Sequence, residues 1–410
     1  MKYLPLLMLS LILSGCSLLS NDVATMWTNQ PEFAAFVELF NTTQSKYKIE
    51  IAYRALPAQS LTAGETVPDI VIGSRLSSVN SVGQFSPLDQ ILGKNEIDPT
   101  LFYKNLLATG RYEGRQFLLP VSFDLPVVLF EQTPGAASDK QTLLTLENIL
   151  TASKEFNKKS KDTFKVMGFS PLWSPNFLFS AAELLGADFH QTSRGNLAWD
   201  DQNLQKTIAD LRGWVKDIDG GPQEEATFRD KYLYDPIYKL LESGRILYYS
   251  TTLTGYFDIP DAKRKTIDFR WLAEQNQIPV PENILFAGVP GRSRNKDAAY
   301  AFLKWFFKPE TQSRLLELVA YDRIKTFGIG NGFSSLSVVN ERDFPQHYPA
   351  LLGKIPPADY LVYPKSLPTD WADLKSNVIL PWMQSEVVAP APQQKLEERL
   401  KAWRLQKPLQ

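Results

Sequence analysis

The chain has 410 residues, with 44 basic and 45 acidic side chains, two histidines and a single cysteine, for a net charge of −1. That balance argues against a nucleic-acid or anionic-membrane partner, because such surfaces are bound through clustered Lys and Arg. His190 and His347 are far apart and Cys16 stands alone, which leaves no Cys/His zinc pattern, and no G-x-S-x-G, H-E-x-x-H or G-x-x-x-x-G-K-[ST] occurs.

At the N-terminus, Lys2 precedes an apolar run from Tyr3 to Leu13, and small Ser14 and Gly15 stand before Cys16. This is the layout of an export signal. A membrane-spanning helix needs about 20 apolar residues, and polar Ser20, Asn21 and Asp22 arrive too early for that. Leu13-Ser14-Gly15-Cys16 resembles the bacterial lipobox, in which the cysteine is diacylated and becomes the new N-terminus; the alternative is a thiol buried in a core helix. The lipobox reading makes residues 1–15 a removable signal peptide and 16–22 a lipidated tether. The exported part then has no free thiol and no disulfide, so its stability must come from core burial. It is long enough for two domains of about 100–200 residues each.

The first elements after the tether alternate. "MWTNQPEFAAFVELFN" offers Thr28 or Asn29 as a cap, Pro31 and Glu32 in a first turn, and Phe33, Phe36, Val37 and Phe40 at helical spacing. Tyr47, Ile49, Ile51 and Tyr53 then alternate with Lys48, Glu50 and Ala52, a strand pattern. "VPDIVIGS" is a β-branched run ending at Gly73-Ser74, the signature of a strand buried on both faces. Strand, helix, strand, strand over so short a span predicts a parallel α/β sheet.

The same alternation continues. Gln116 to Ser122 and Pro126 to Phe130 read as strands, and Leu204, Ile208, Leu211 and Val215 mark a helix that stops at Gly220-Gly221. "ESGRILYYSTT" returns to a strand, and "NKDAAYAFLKWFFKPETQSRLLELVA" is a long helical stretch in which Pro309 permits a break or restart. Beyond Tyr321 the chain is proline-rich and ends in a helical "QKLEERLKAW". "FGIGNGFSS" holds Gly328, Gly330 and Gly332 without forming G-x-G-x-x-G, so these glycines imply chain flexibility or a close backbone approach to a ligand rather than a phosphate loop.

A lipobox followed by "MWTNQPEFAAFVELFN", "YKIEIAY" and "PDIVIGS" resembles the extracellular solute-binding proteins of carbohydrate ABC transporters, the maltose-binding-protein type. "GRQFLLPVSFDLPVVLFE" is similar to that family's first crossing between lobes, "ESGRILYYST" to a further strand, "FAGVPGRSRNKDAAYAFLKWFFKPETQSRLLE" to its return segment, and "PTDWADLKSNVILPWMQSEVVAPAPQQKLEERLKAW" to its closing helices. The resemblance implies a type II periplasmic-binding-protein fold, α/β in class, with two lobes, each a sheet flanked by helices. Lobe I takes 23–122 and about 265–307, and lobe II 126–260 and about 315–410, with hinges near 122–126, 260–268 and 307–330. The implied partners are a carbohydrate and the transmembrane permease subunits, with the Cys16 lipid holding a monomer at the periplasmic side of a membrane and no cofactor required.

In open α/β sheets ligands sit beyond the carboxyl ends of strands, so candidate residues follow strands. Trp27 and Thr28 stand between the first strand and first helix, facing either cleft or core. Ser74 and Arg75 follow "DIVIG", where the family makes polar sugar contacts; for Arg75 a solvated loop charge is the alternative. Asp124 interrupts "LLPVSFDLPVVLF" and must be hydrogen-bonded to backbone or face the wet cleft. In the cleft its carboxylate would accept two sugar hydroxyls.

From "SPLWSPNFLF", the family's second-lobe segment, Trp173 and Phe177 are candidates to stack on sugar rings and Asn176 to hydrogen-bond, with core packing the rival. Ser250 and Thr251, with Thr252, end the "RILYY" strand, and Trp371 is a further aromatic candidate. Aromatic residues make up 12% of the chain, nine of them tryptophan, which favours a sugar over a peptide, polyamine or ferric solute. The other alternative is a glycoside-acting enzyme, since a carboxylate pair is not legible from one dimension.

Overall fold

A computed structural model describes residues 22–406 apart from 65, 133–140, 162 and 323–324. The signal segment and Cys16 lie outside the described residues. The first sheet has six strands in the spatial order Phe333–Ser334, Leu118–Phe123, Leu285–Gly288, Ile70–Ser74, Asp22–Thr28, Tyr47–Tyr53. Its last three are parallel, in register from Asp22 opposite Tyr47 to Thr28 opposite Tyr53. The Ile70–Ser74 strand is buried from Ile70 through Gly73, as its β-branched run predicts.

The early strands are parallel as their pattern predicts, but the whole sheet is mixed, because Leu285–Gly288 runs antiparallel to both Ile70–Ser74 and Leu118–Phe123. That strand re-enters from the other lobe and so arrives from the opposite end.

The second sheet orders Tyr249–Thr252, Pro126–Glu131, Ile267–Leu272 and Leu143–Leu144. Helices Pro175–Leu184, Asp201–Asp217 and Leu380–Val388 pack together beside it. The structure is therefore a two-lobed α/β fold of the periplasmic-binding-protein kind, with helices flanking each sheet.

Two chain crossings differ from those expected. Ile267–Leu272 is hydrogen-bonded into the second sheet, between Pro126–Glu131 and Leu143–Leu144, so the return to the first lobe comes after it rather than at about 265. Phe333–Ser334 is an edge strand of the first sheet beside Leu118–Phe123, so these residues belong to the first lobe and not the second. The final passage is the segment around Leu361–Val362, which pairs in parallel with Ile278–Pro279. Both boundaries were obscured because a crossing strand looks like any other apolar run until its partners are known.

The helical stretch after Asn295 breaks at Pro309 into Lys296–Phe306 and Pro309–Tyr321. Phe302 and Phe306 bury against Phe33, Phe36 and Phe40 of the first helix, with ring centroids 5.4–6.4 Å apart. Phe33, Phe36 and Phe40 are the residues whose helical spacing was read above, and the rings they meet account for part of the aromatic surplus.

The three glycines of "FGIGNG" lie where the chain packs closely on the first sheet. A Cβ on Gly332 would lie 2.5 Å from the Phe123 carbonyl oxygen, and one on Gly328 would lie 2.2 Å from the Gly332 carbonyl oxygen. Gly328 and Gly330 also have φ of +62° and +57°, a region that side chains disfavour. The close backbone approach is thus to the Leu118–Phe123 strand and within the loop itself.

Candidate functional site

The crossing segments floor a trough between the lobes. It is made of two hollows of about 660 and 700 Å³ that share Glu282, Val362, Tyr363, Pro364, Lys365 and Leu367. The first lobe walls one hollow with Arg75, Ser77, Asn105, Tyr112 and Phe286. The second lobe walls the other through Asn176, Phe179 and Glu183 of helix Pro175–Leu184 and through Tyr249–Thr252. A cavity of this size with a few convergent polar groups suits a small solute of one to several rings.

Some of the anticipated residues reach this trough. Arg75 does so from a left-handed backbone position, φ 62°, directly after the Ile70–Ser74 strand. Asn176 is exposed at the start of its helix, and Ser250, Thr251 and Thr252 line the hollow from the strand end, with the Thr252 hydroxyl accepting from the Gly255 N–H at 3.4 Å. Phe177 borders the trough but is 1% exposed, its ring packing on Phe169 at 4.7 Å and Trp214 at 6.4 Å.

Others do not line either hollow. Trp27 is buried under the Arg54 guanidinium, 4.8 Å from its ring centre. Thr28 is 1% exposed and its Oγ1 accepts from the Gln30 N–H at 3.1 Å, closing the turn into the first helix. Ser74 is half-buried in the sheet, opposite Leu285. Trp173 stacks on Phe228 at 5.9 Å inside the second lobe, so core packing wins there. Trp371 is 1% exposed, wedged between Phe179 and Phe189 at 5.7 and 5.8 Å.

Asp124 is the main correction. It is 5% exposed, and its Oδ1 accepts from the Leu125 N–H at 2.8 Å and from the Thr254 N–H at 3.3 Å. It is therefore the backbone-bonded acid of the two readings, and it takes up an N–H at the start of helix Leu253–Phe257, whose cap is Thr252. Burial raises its pKa above the ordinary value, against the lowering effect of Thr252, Leu125 and Thr254 as donors.

The charged lining was not anticipated. Lys375 Nζ donates to Glu282 Oε1 at 2.5 Å, with both side chains largely buried. Burial pushes the Glu282 pKa up, but Lys375 pulls it down further, and the net direction is downward. Lys375 opens a turn of π-helix, Lys375–Ile379, a widened turn of the kind often found at functional sites. The same ammonium lies 4.1 Å above the Phe179 ring.

Glu183 accepts from the Phe189 N–H at 3.3 Å, and burial, reinforced by Glu282 and Asp188, pushes its pKa up to about 7. Lys365 Nζ donates to Asp188 Oδ2 at 2.6 Å at the mouth. Helical spacing was the one signal available: Asn176, Ser180 and Glu183 fall on a single face. Glu282 and Lys375 carry no local signal, being brought together only by the fold. Among the described residues no group of His, Cys, Asp and Glu is arranged to hold a metal ion.

Direct bonds also join the two walls. Gln191 of the second lobe accepts from the Val79 N–H at 3.0 Å, and Ser366 of the crossing segment donates to the Ser77 carbonyl at 2.7 Å.

At the sequence level no curated protein matches the chain. Among solved structures, the sugar-binding protein MalE from Xanthomonas citri superposes with a TM-score of 0.67 at 13% identity, covering 93% of this chain and 95% of that one. The ABC substrate-binding protein Lmo0181 from Listeria monocytogenes, in complex with cycloalternan, gives 0.64 at 16% identity over 93% and 97%. The GacH receptor of Streptomyces glaucescens, a structure set that includes acarbose complexes, gives 0.63 at 15% over 94% and 98%. These likenesses concern the fold. The family model described as bacterial extracellular solute-binding protein matches residues 35–323. With most of its length matched by that model and a trough walled by both lobes, the chain belongs to the bacterial extracellular solute-binding proteins.

Proposed function

We propose that the protein is the lipid-anchored solute-binding component of an ABC importer, taking a sugar or oligosaccharide into the interlobe trough and presenting it to a permease. The observation that carries this reading is the trough's composition. Hydroxyl and amide groups of Ser250, Thr251 and Asn176 stand beside the rings of Tyr249, Phe179 and Tyr363. A pyranose needs both, since its hydroxyls are hydrogen-bond donors and acceptors and its C–H faces stack on apolar rings. The fold-level relatives were solved with cycloalternan and acarbose bound, which agrees with a saccharide.

Hinge closure on the solute, standard for two-lobed binding proteins, would bring the walls together, and the bonds of Gln191 and Ser366 would help hold that arrangement. The protein binds and does not transform its solute, in keeping with its family. In this proposal residues 1–15 are removed, Cys16 is acylated, and 16–22 tether the domain to the membrane on its extracytoplasmic side.

Intrinsic tryptophan fluorescence of the purified protein, titrated with mono- and oligosaccharides, tests the sugar assignment: a saturable change is expected, and silence toward every sugar rejects it. Cys16→Ala is expected to release the protein from the membrane with solute binding preserved. If binding is lost too, the anchor role fails.

A further inference from the structure

Four cations and four acids line the trough, and two of each are joined in ion pairs. Lys375 is neutralised by Glu282 and Lys365 by Asp188, at 2.5 and 2.6 Å. Glu183, pushed up to about 7, carries only part of a charge at neutral pH. Arg75 is different. Its guanidinium lines the first-lobe hollow, it is half-buried, and among the described residues no hydrogen bond or ion pair at contact distance engages it.

Glu282 and Asp373 attract it only through space, and Glu282 is already committed to Lys375. Arg111 stands on the same wall, its Nε donating to Gln116 Oε1 at 3.2 Å. The opposing acid, Asp359, is solvent-exposed, and water and salt screen an exposed charge.

A desolvated guanidinium without a partner is costly, and such a cost persists where a ligand is meant to relieve it. Its planar fork matches a carboxylate bidentately, whereas a sugar hydroxyl accepts at one oxygen. From this geometry we infer that the solute is an acidic saccharide, one bearing a uronate-type carboxylate that docks on Arg75. One guanidinium left uncompensated suits a monoanion better than a phosphate dianion. The inference rests on the sugar-binding reading and narrows it.

Calorimetry of the purified protein with digalacturonate, with the neutral digalactose of the same linkage, and with galactose 1-phosphate tests it. Digalacturonate is expected to bind about tenfold or more tightly than either, a factor typical of charge-assisted hydrogen bonds. Its affinity should weaken with added salt, and Arg75→Gln should remove the preference while Arg75→Lys restores part of it. Thermal melts of both variants establish that they fold, and if Arg75→Gln does not, the wild-type salt dependence and ligand preference still decide.

Equal or tighter binding of the neutral sugar overturns the acidic assignment and leaves the sugar reading standing. A preference for the phosphate overturns the carboxylate. No binding of any saccharide, in a panel widened to malto- and mannooligosaccharides, overturns both.

Discussion

Lys375 Nζ lies 2.5 Å from Glu282 Oε1 across 93 positions of sequence, joining the second lobe's closing helices to the segment that leads back into the first sheet. Both side chains are about 15% exposed, at 14% and 16%, so neither is free to find water if the other is removed. Lys375→Ala is expected to destabilise the protein by about 3 kcal/mol, the cost of leaving one charge of a largely buried pair unmatched. Chemical denaturation measures this. The Glu282 pKa is depressed in the fold, so its contribution is present above the ordinary carboxylate value and is lost as the pH falls through the depressed one. Wild-type stability should therefore drop on the acid side, and Lys375→Ala should lack that component of the drop.

Asp124 makes a different prediction, because its carboxylate is taken up by the Leu125 and Thr254 N–H groups. Asp124→Ala should cost roughly 1–3 kcal/mol in unfolding free energy by leaving the Leu125 and Thr254 N–H groups unsatisfied. Solute affinity should stay within about threefold of wild type, less than the loss of a direct charged contact would produce. Its folded pKa is raised, so the stability it contributes is full below the ordinary aspartate value and is lost as the pH rises through the raised one. Asp124→Asn should therefore gain on wild type as the pH increases.

Glu183 titrates near physiological pH, at about 7, inside the trough wall. A raised carboxyl pKa stabilises the fold below the ordinary glutamate value, and that contribution is lost as the pH rises toward 7 and above. Solute affinity measured from pH 5 to 8 should change with a midpoint near 7, and Glu183→Gln should flatten the curve. An unaltered curve in that variant assigns the pH dependence to another group.

Local pattern carried much of the fold and little of the site. The Phe33, Phe36 and Phe40 spacing and the Tyr47–Tyr53 alternation were legible because a helix face and a strand face are written in consecutive residues. Strand partners were not legible, which is why Ile267–Leu272 and Phe333–Ser334 changed lobes. For the site, position after a strand picked Arg75, Ser250 and Thr251, which line the two hollows. The same rule picked Trp27 and Thr28, which the chain turns inward to finish its core. Glu183, Glu282 and Lys375 come from three distant segments, and only tertiary structure brings their charges together.

The glycine loop offers a steric test. Gly332→Ala would set a methyl group 2.5 Å from the Phe123 carbonyl oxygen, and relieving that overlap should cost about 1–3 kcal/mol, the usual range for overpacking. Gly213→Ala is the control: it has nothing within 4 Å and lies inside helix Asp201–Asp217, so it should leave stability equal or slightly raised.

Isothermal titration of the purified protein with a panel of neutral and acidic mono- and oligosaccharides tests the central claim most directly. The trough between the lobes predicts saturable heat at one site per chain for at least one saccharide, with the sugar recovered unchanged afterwards. No heat with any saccharide, or recovery of cleaved sugar, would contradict it.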